Sequence, residues 1–313
     1  MNVVRPLLAG TLLMMAGISL AADAPSAPES GPGSAEYTHA SMTRNSYGNG
    51  KTQYWIFEPS EPKPASAPVI VFMHGWSAMT PFGYLGWIEH IVRRGNIVIY
   101  PRYQESIAEP PKNFTPSAIY SIKSALEELQ TGTHVKPDLT RAAVVGHSFG
   151  GVISANLAVL AAQNNLPAFK AVMCVEPGTG GFGVYEDYSK IPAKTLLLCV
   201  AGDEDLNVRN IDALRIFNQA KLDAEDKNFL EMVSDRHGTP PLIANHFAPA
   251  ALPGIKGNAL HWYGFWKWFD ALTDAAFYGK NRKYALGDRP EQRFMGRWSD
   301  GTAVLEPKVT KGQ

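Results

Sequence analysis

A serine stands between glycines in the segment GHSFG, where Gly146, Ser148 and Gly150 form the pattern G-x-S-x-G. A serine hydroxyl becomes a useful nucleophile when a neighbouring base removes its proton and a third group orients that base. The pattern is short, so its meaning depends on its surroundings. The apolar run RAAVV precedes it and a helical stretch rich in small residues, 152–162, follows it. A sharp strand-to-helix turn of this kind exposes the hydroxyl, which predicts a nucleophile elbow with Ser148 as the nucleophile.

Acidic candidates for orienting the base follow the serine in chain order. The segment AGDEDLNV comes directly after the apolar run TLLLCV. We take Asp205 as the preferred acid, because Gly202 allows the chain to turn back across the top of the sheet. Asp203 is the alternative acid, and Glu176, which follows the preceding strand, is a third candidate.

Two histidines compete for the role of the base. His237 lies four residues past the apolar run FLEMV, and a short loop there can carry it over Ser148, so it is the preferred base. His246, nine residues further on in a stretch expected to be helical, is the alternative base. His147, inside the elbow, is expected to pack beside the strand, and His261 to pack against or cap the helix that it begins.

Acyl transfer also needs two backbone N–H groups that stabilise the oxyanion. Phe149 supplies one, directly after the nucleophile, and Trp76 in the segment HGWS is the natural source of the other. The Trp76 indole is expected to form a wall of the acyl pocket. Three further aromatic residues, Phe82, Tyr84 and Trp87, follow this loop. They fit either an exposed substrate-binding rim or the core of a helix.

The elements that position these groups alternate between apolar runs and helical stretches. Strands without alternation, separated by helices, are typical of a parallel sheet buried on both faces. The sequence therefore predicts a doubly wound, mostly parallel α/β sheet, and the glycine-rich segment between Cys174 and Thr195 leaves no room for a large cap domain. The predicted strands are 54–57 (in an antiparallel hairpin), 69–73, 96–100, 141–145, 169–175, 195–200 and, as the last strand, 229–233; the predicted helices are 88–94, 117–129, 152–162, 211–222 and 260–277.

The chain ends differ in composition from this central part. Residues 1–21 combine a basic start, a 15-residue apolar run and small-x-Ala cleavage patterns, and this combination predicts a cleaved signal peptide and a secreted or periplasmic protein. Residues 22–36, rich in Ala, Pro, Ser and Gly, predict a disordered leader. The domain that contains the α/β sheet is expected over 37–277. Residues 278–313 form a C-terminal extension, packed on the domain or trailing from it.

Composition and charge exclude some classes of protein. Of the 313 residues, 29 are Lys or Arg and 29 are Asp or Glu, so no strongly basic surface points to nucleic acid. After removal of the signal peptide, no membrane span is expected. Cys174 and Cys199 lie in apolar runs and are expected either as a disulfide or as two buried thiols. No Cys/His spacing indicates zinc, and the chemistry described above requires no metal or organic cofactor.

Taken together, HGW after one strand, GHSFGG at the elbow, GDED after a late strand and a later HG resemble the α/β-hydrolase superfamily over about 54–277. The pattern is most similar to the cap-less serine esterases, a group that includes dienelactone-hydrolase-like, platelet-activating-factor-acetylhydrolase-like and polyester-hydrolase-like enzymes. The resemblance implies an exported serine carboxylesterase with an open site, acting on short-acyl, aryl or polymeric esters. A peptidase, thioesterase or acyltransferase with the same triad is the alternative. A binding protein with an inactive hydrolase fold is disfavoured by the complete nucleophile–acid–base order.

Overall fold

A computed structural model of the chain describes residues 22–251 and 257–312. In these residues nine strands form one sheet, in the order β1-β2-β4-β3-β5-β6-β7-β8-β9. Strands β3 to β8 run parallel to one another, whereas β1, β2 and β9 make antiparallel pairs at the two sides. The strands are β1 Ser41–Tyr47, β2 Tyr54–Ser60, β3 Ser66–Met73, β4 Ile97–Pro101, β5 Lys136–His147, β6 Phe169–Val175, β7 Leu196–Gly202, β8 Lys227–Met232 and β9 Lys308–Lys311.

Helices cover both faces of the sheet, as the uninterrupted apolar strands predict. Helices α1 and α5 contact each other on one face, while α2, α3 and α4 pack side by side on the other. The predicted doubly wound α/β sheet is confirmed. The helices are α1 Leu85–Arg93, α2 Phe114–Glu128, α3 Phe149–Leu160, α4 Ile211–Gln219, α5 Trp266–Tyr278, which continues a π-helical turn at Leu260–Phe265, and α6 Pro290–Arg293.

The strand order places a crevice at the carboxyl edge of the sheet. The chain passes from β3 outward to β4 and then back to β5 on the other side of β3. The loops that leave β3 and β5 therefore diverge, and ligands of open α/β sheets bind at such switch points. The described segment between β6 and β7 contains only a short 3₁₀ turn at Tyr188–Lys190, so it forms no cap domain over this crevice.

The C-terminal extension packs on the domain and adds a strand that the sequence did not predict. Strand β9 pairs with β8, so the predicted last strand at 229–233 is not the last. The buried indole of Trp298 donates a hydrogen bond to Asp235 over 3.2 Å. The buried ammonium group of Lys267 donates to three backbone carbonyls of the extension, those of Glu291, Gln292 and Phe294.

The predicted disordered leader, 22–36, instead contacts the domain. The Gly33 amide donates to the buried carboxylate of Asp270 over 2.8 Å, and the Ala22 carbonyl accepts from the Thr239 amide over 2.9 Å. These bonds fix a segment that has few apolar side chains of its own. The predicted signal peptide, 1–21, lies outside the described residues. Within the described ranges, no helix is both long and apolar enough to cross a bilayer.

The two cysteines occupy paired positions on neighbouring central strands. Cys174 of β6 lies in register with Cys199 of β7. Both side chains are buried free thiols, which is the second of the two arrangements expected from the sequence.

Candidate active site

Ser148 occupies a strained turn between β5 and α3. Its φ of 56° and ψ of −124° lie in a region that costs an L-residue about 1–3 kcal/mol. The turn is held against β3 so closely that a Cβ at Gly150 would overlap the carbonyl oxygens of Met73 and His74, and one at Gly146 would overlap the Gly150 carbonyl. The two glycines of the motif are therefore required by packing, and the strain presents the serine hydroxyl above the sheet edge.

Replacing Gly150 by alanine is expected to destabilise the protein by about 3 kcal/mol, because the new methyl group would meet backbone atoms that cannot rotate away. Urea unfolding followed by circular dichroism measures this loss. Gly83→Ala is the control, since a Cβ there meets nothing within 4 Å. Equal stability of the two variants would contradict the prediction.

Three side chains form a continuous hydrogen-bonded relay at the carboxyl edge. The Ser148 hydroxyl lies 2.9 Å from His246 Nε2, and His246 Nδ1 lies 2.8 Å from Asp205 Oδ2. The other Asp205 oxygen accepts the amides of Asn207 and Val208 at 2.9 and 3.1 Å. Burial raises the pKa of Asp205, but the bonds from His246 and these amides outweigh it and leave the pKa below its ordinary value. The carboxylate is therefore ionised at neutral pH, and it selects the tautomer in which His246 Nδ1 donates and Nε2 accepts from the serine.

The structure does not bring His237, the preferred base of the sequence analysis, to Ser148. Its Nε2 lies 2.7 Å from an oxygen of Asp300 in the C-terminal extension, and its side chain is 40% exposed. The reason is local: the backbone pair Asp235–Leu242 closes a tight loop that turns His237 outward. The chain then returns over the sheet and places His246 in a turn, not in the expected helix.

The two other acidic candidates also take places apart from the relay. Asp203 accepts the backbone amide and hydroxyl of Ser234 at 2.7 to 3.0 Å. Glu176 is fully buried below the relay, with Oε2 3.8 Å from His246 Nδ1 and 3.6 Å from His147 Nε2. Its oxygens have no hydrogen-bond partner among the described residues. Burial, and secondly the Asp205 charge, raise the pKa of Glu176 well above its ordinary value, which favours the protonated form of this carboxyl group.

His147 and Tyr84 form a scaffold for the base that the sequence analysis missed. His147 Nε2 lies 2.7 Å from the His246 carbonyl, which can only accept, so Nε2 donates. Nδ1 must then accept from the Tyr84 hydroxyl at 2.7 Å, and the Tyr84 oxygen in turn accepts the Gly75 amide at 3.1 Å. His147, the elbow residue before Ser148, therefore fixes the backbone of His246. The position of His147 inside the motif, where a buried imidazole needs a partner for each ring nitrogen, is the sequence feature that could have predicted this role.

Two buried neutral histidines beside the elbow are expected to make the protein less stable in acid. Burial lowers the pKa of His74 to about 4, and burial together with the nearby His246 lowers that of His147 to about 3. The unfolded chain, with histidine pKa values near 6.5, then binds more protons below that pH. Stability should fall as the pH falls from about 6.5 towards 4, and by about 3 kcal/mol for the two together at pH 5.

Urea unfolding at pH 6.5 and 5.0 measures this loss. His147→Gln should remove about 1.5 kcal/mol of this loss, whatever it does to stability at pH 6.5. The rest of the pH dependence includes His261, whose pKa burial lowers to about 4, and Glu176, whose raised pKa acts in the opposite direction. Stability that is equal or greater at pH 5.0 in the unmodified protein would contradict the prediction.

Two backbone amides in the loops beside Ser148 have no protein acceptor among the described residues. On either side of Trp76, the Gly75 amide is bound to Tyr84 and the Ser77 amide to Gln104. The Trp76 and Phe149 amides, by contrast, have no acceptor among the described residues. Phe149 is also the first residue of α3, where the helix dipole favours negative charge. The two amides predicted for the oxyanion are thus both free of protein partners.

The aromatic residues after the oxyanion loop divide between the two roles that the sequence left open. Phe82 is exposed, whereas Tyr84 and Trp87 are buried in the core beneath the site. Trp76 is partly exposed and lines the cleft of about 420 Å³ that contains Ser148 and His246. Only the first part of this segment is therefore available to a substrate.

His147, Glu176 and His246 lie close enough together to raise the question of a metal ion, with ligand atoms within 4.8 Å of one another. Both ring nitrogens of each histidine already have protein partners: His147 binds Tyr84 and a carbonyl, and His246 binds Ser148 and Asp205. A bound ion would have to break the relay. The two histidines belong to a hydrogen-bonding network, and Glu176 lies beside it without a hydrogen-bond partner among the described residues.

Comparison with known proteins adds a family to this geometry. The family model described as Chlorophyllase matches residues 30–196, which is more than half of the 313 residues. The chain belongs to the chlorophyllase family. This family is of the α/β-hydrolase type, and the chain is therefore an α/β hydrolase of the ester-cleaving kind. No curated protein matches the chain.

The part of this chlorophyllase-family protein that matches the family model ends where β7 begins. It contains the Trp76 loop and the Ser148 elbow, but Asp205 and His246 lie beyond it. The assignment of an acid and a base in this chlorophyllase-family chain therefore rests on the geometry of its own loops.

Proposed function

We propose that the protein is an exported serine carboxylesterase that forms an acyl-enzyme on Ser148. The observation that carries the proposal is the unbroken relay from the Ser148 hydroxyl through His246 to Asp205, with contacts of 2.9 and 2.8 Å. Membership of an ester-cleaving family supports the same chemistry.

In the proposed mechanism, His246 Nε2 takes the proton of Ser148 as the hydroxyl oxygen attacks the ester carbonyl. Asp205 holds the resulting imidazolium, while the amides of Trp76 and Phe149 stabilise the oxyanion. His246 then returns the proton to the leaving alcohol. Water enters, gives a proton to His246 and attacks the acyl carbon. The bond from this carbon to Ser148 Oγ then breaks, and His246 returns the proton to the serine oxygen as the acid leaves.

The substrates that we propose are short-acyl, aryl or polymeric esters. The described residues place no domain over the cleft, and the side chain of Phe247 in its lining is exposed. Such a cleft suits apolar groups of a substrate that remains partly outside the protein.

The experiment that tests this proposal is labelling with a fluorophosphonate, followed by assay of p-nitrophenyl esters from acetate to palmitate. We expect one label per chain on the Ser148 peptide, none on Ser148→Ala, and ester hydrolysis that depends on Ser148. A labelled protein that hydrolyses no ester in the panel would overturn the esterase proposal in favour of a peptidase or acyltransferase. An unlabelled protein would overturn the triad itself.

Export is proposed with cleavage after Ala21. The contacts of Ala22 and Asp23 support this position, because cleavage after Ala24 would remove the bonds that these residues make to Thr239 and Ser299. Sequencing the amino terminus of protein recovered from the medium or periplasm tests it. We expect Ala22 as the first residue, and an intact Met1 on cytoplasmic protein would overturn the proposal.

A further inference from the structure

A second cleft opens beside the catalytic one, between the loops that follow β4 and β6. Its volume is about 490 Å³, which lies within the range of small-molecule sites. Two large apolar side chains in its lining are exposed to solvent, Ile107 at 66% and Phe182 at 54%. Its lining is mainly apolar and includes Trp76, Ile107, Pro110, Pro111, Phe182 and Val184.

Trp76 joins the two clefts, because its side chain lines both of them. The indole is held in place from several sides. Its ring meets Phe149 edge-on at 5.7 Å between centroids and Phe182 at a tilt at 5.0 Å, and its Nε1 donates to the Ile107 carbonyl over 3.2 Å. A group bound in the second cleft therefore lies one side chain away from the nucleophile.

We propose that this second cleft binds the acyl part of the ester, and that it takes apolar acyl groups larger than acetyl, including aromatic rings. The inference rests on the proposed function. The leaving alcohol must lie within reach of His246 Nε2, which returns its proton, so it occupies the side lined by His246 and Phe247. The second cleft has neither of these residues in its lining. From a carbonyl whose oxygen points at the Trp76 and Phe149 amides, the acyl group then extends past the Trp76 ring.

Two charged residues line this cleft, and neither prevents an apolar occupant: Lys112 is exposed to solvent, and Glu109 is paired. Glu109 is the acidic residue in its lining, and its carboxylate is bound to Asn113 at 2.8 Å and to Lys51 at 3.3 Å. The bond from Asn113, together with those from Lys51, outweighs burial and lowers the pKa of Glu109. The carboxylate is therefore ionised but already paired, and it presents no free acid to a substrate. The aromatic faces of Trp76 and Phe182 remain as the main binding surface.

The test keeps the leaving group constant and varies the acyl group, with p-nitrophenyl acetate and p-nitrophenyl benzoate as the pair of substrates. Phe182→Ala should lower kcat/KM for the benzoate about 10-fold and leave that for the acetate within about twofold. Phe182→Leu, which keeps an apolar side chain, should restore most of the benzoate activity. Tyr120→Ala is the matched control, because Tyr120 is 60% exposed on α2 and lines neither cleft.

The outcomes separate this inference from the proposed function. If the acetate is hydrolysed through Ser148 but Phe182→Ala leaves the benzoate-to-acetate ratio unchanged, the esterase proposal stands and the acyl cleft is overturned. Equal losses on both substrates would also overturn it, since they would indicate a general disturbance of the site. If Phe182→Ala instead changes the ratio between phenyl acetate and ethyl acetate, the cleft binds the alcohol and the assignment is reversed. A protein without Ser148-dependent ester hydrolysis would remove both proposals together.

Discussion

Replacing His246 by alanine is expected to lower kcat for p-nitrophenyl acetate about 10⁴- to 10⁶-fold. Without the imidazole, the Ser148 hydroxyl has no group to take its proton, and the leaving group has no group to return one. His237→Ala should keep kcat within a factor of about three, because His237 faces Asp300 and not the nucleophile. Initial rates at saturating substrate, with active sites counted by fluorophosphonate titration where the variant still reacts, measure both effects.

The comparison between these two variants decides the base. Circular dichroism spectra should be the same for both, so that loss of folding is not mistaken for loss of the base. The fall in His246→Ala should appear in kcat and in kcat/KM alike, since the proton transfer belongs to the transition state. An inactive His237→Ala beside an active His246→Ala would contradict the relay that the structure places at Ser148.

The sequence predicted the strand-to-helix turn at Ser148 well because the information that positions it is local. The apolar strand, two glycines and a small-residue helix all lie within twenty residues of Ser148, and each is required by the packing of the elbow onto β3. The parallel strands were equally readable, since burial on both faces leaves an uninterrupted apolar run. Most strand boundaries differ from the prediction by a few residues at their ends, where hydrogen bonding rather than hydropathy decides the limit.

The sequence favoured His237 over His246, whereas the structure brings His246 to Ser148, because the place of each histidine depends on contacts that are distant in sequence. Asp300, 63 positions away from His237, pairs with it at the surface. The Asp235–Leu242 backbone pair closes a loop after β8, so the chain comes back over the sheet only after Leu242 and places His246 there. Two histidines nine residues apart with similar surroundings differ in role only through this tertiary arrangement.

The chain ends illustrate the same limit. The leader, 22–36, has a composition typical of disorder, yet its backbone amides and carbonyls find partners on the domain, as Gly33 does with Asp270. Strand β9 has the sequence KVTK, which is too short and too polar to stand out by pattern. It pairs with the edge of β8 through backbone hydrogen bonds, and side-chain patterns carry little information about such bonds.

Replacing Asp205 by asparagine is expected to lower kcat about 10⁴-fold while leaving the fold intact. The amide is close in size to the carboxylate, but it has no charge to stabilise the imidazolium and no longer selects the tautomer of His246 that accepts from Ser148. Asp203→Asn should have a far smaller effect, because Asp203 binds Ser234 and does not touch the base. Steady-state rates of the two variants on p-nitrophenyl acetate measure the difference. Similar losses in both would contradict the assignment of the acid.

Glu176 supplies a sharper control for the assignment of the acid, since its carboxyl group lies near His246 but makes no hydrogen bond to it. Its Oε2 is 3.8 Å from His246 Nδ1, against 2.8 Å for Asp205. Burial is the larger cause of its raised pKa and the charge of Asp205 the smaller, so the group should stay protonated even in Asp205→Asn. Glu176→Gln, which replaces a neutral acid with a neutral amide, should therefore keep kcat within about fivefold, alone or added to Asp205→Asn. If the double variant instead loses much more activity than Asp205→Asn does, Glu176 ionises when Asp205 is lost and acts as a second acid. Burial would then not be the main cause of the raised pKa of Glu176.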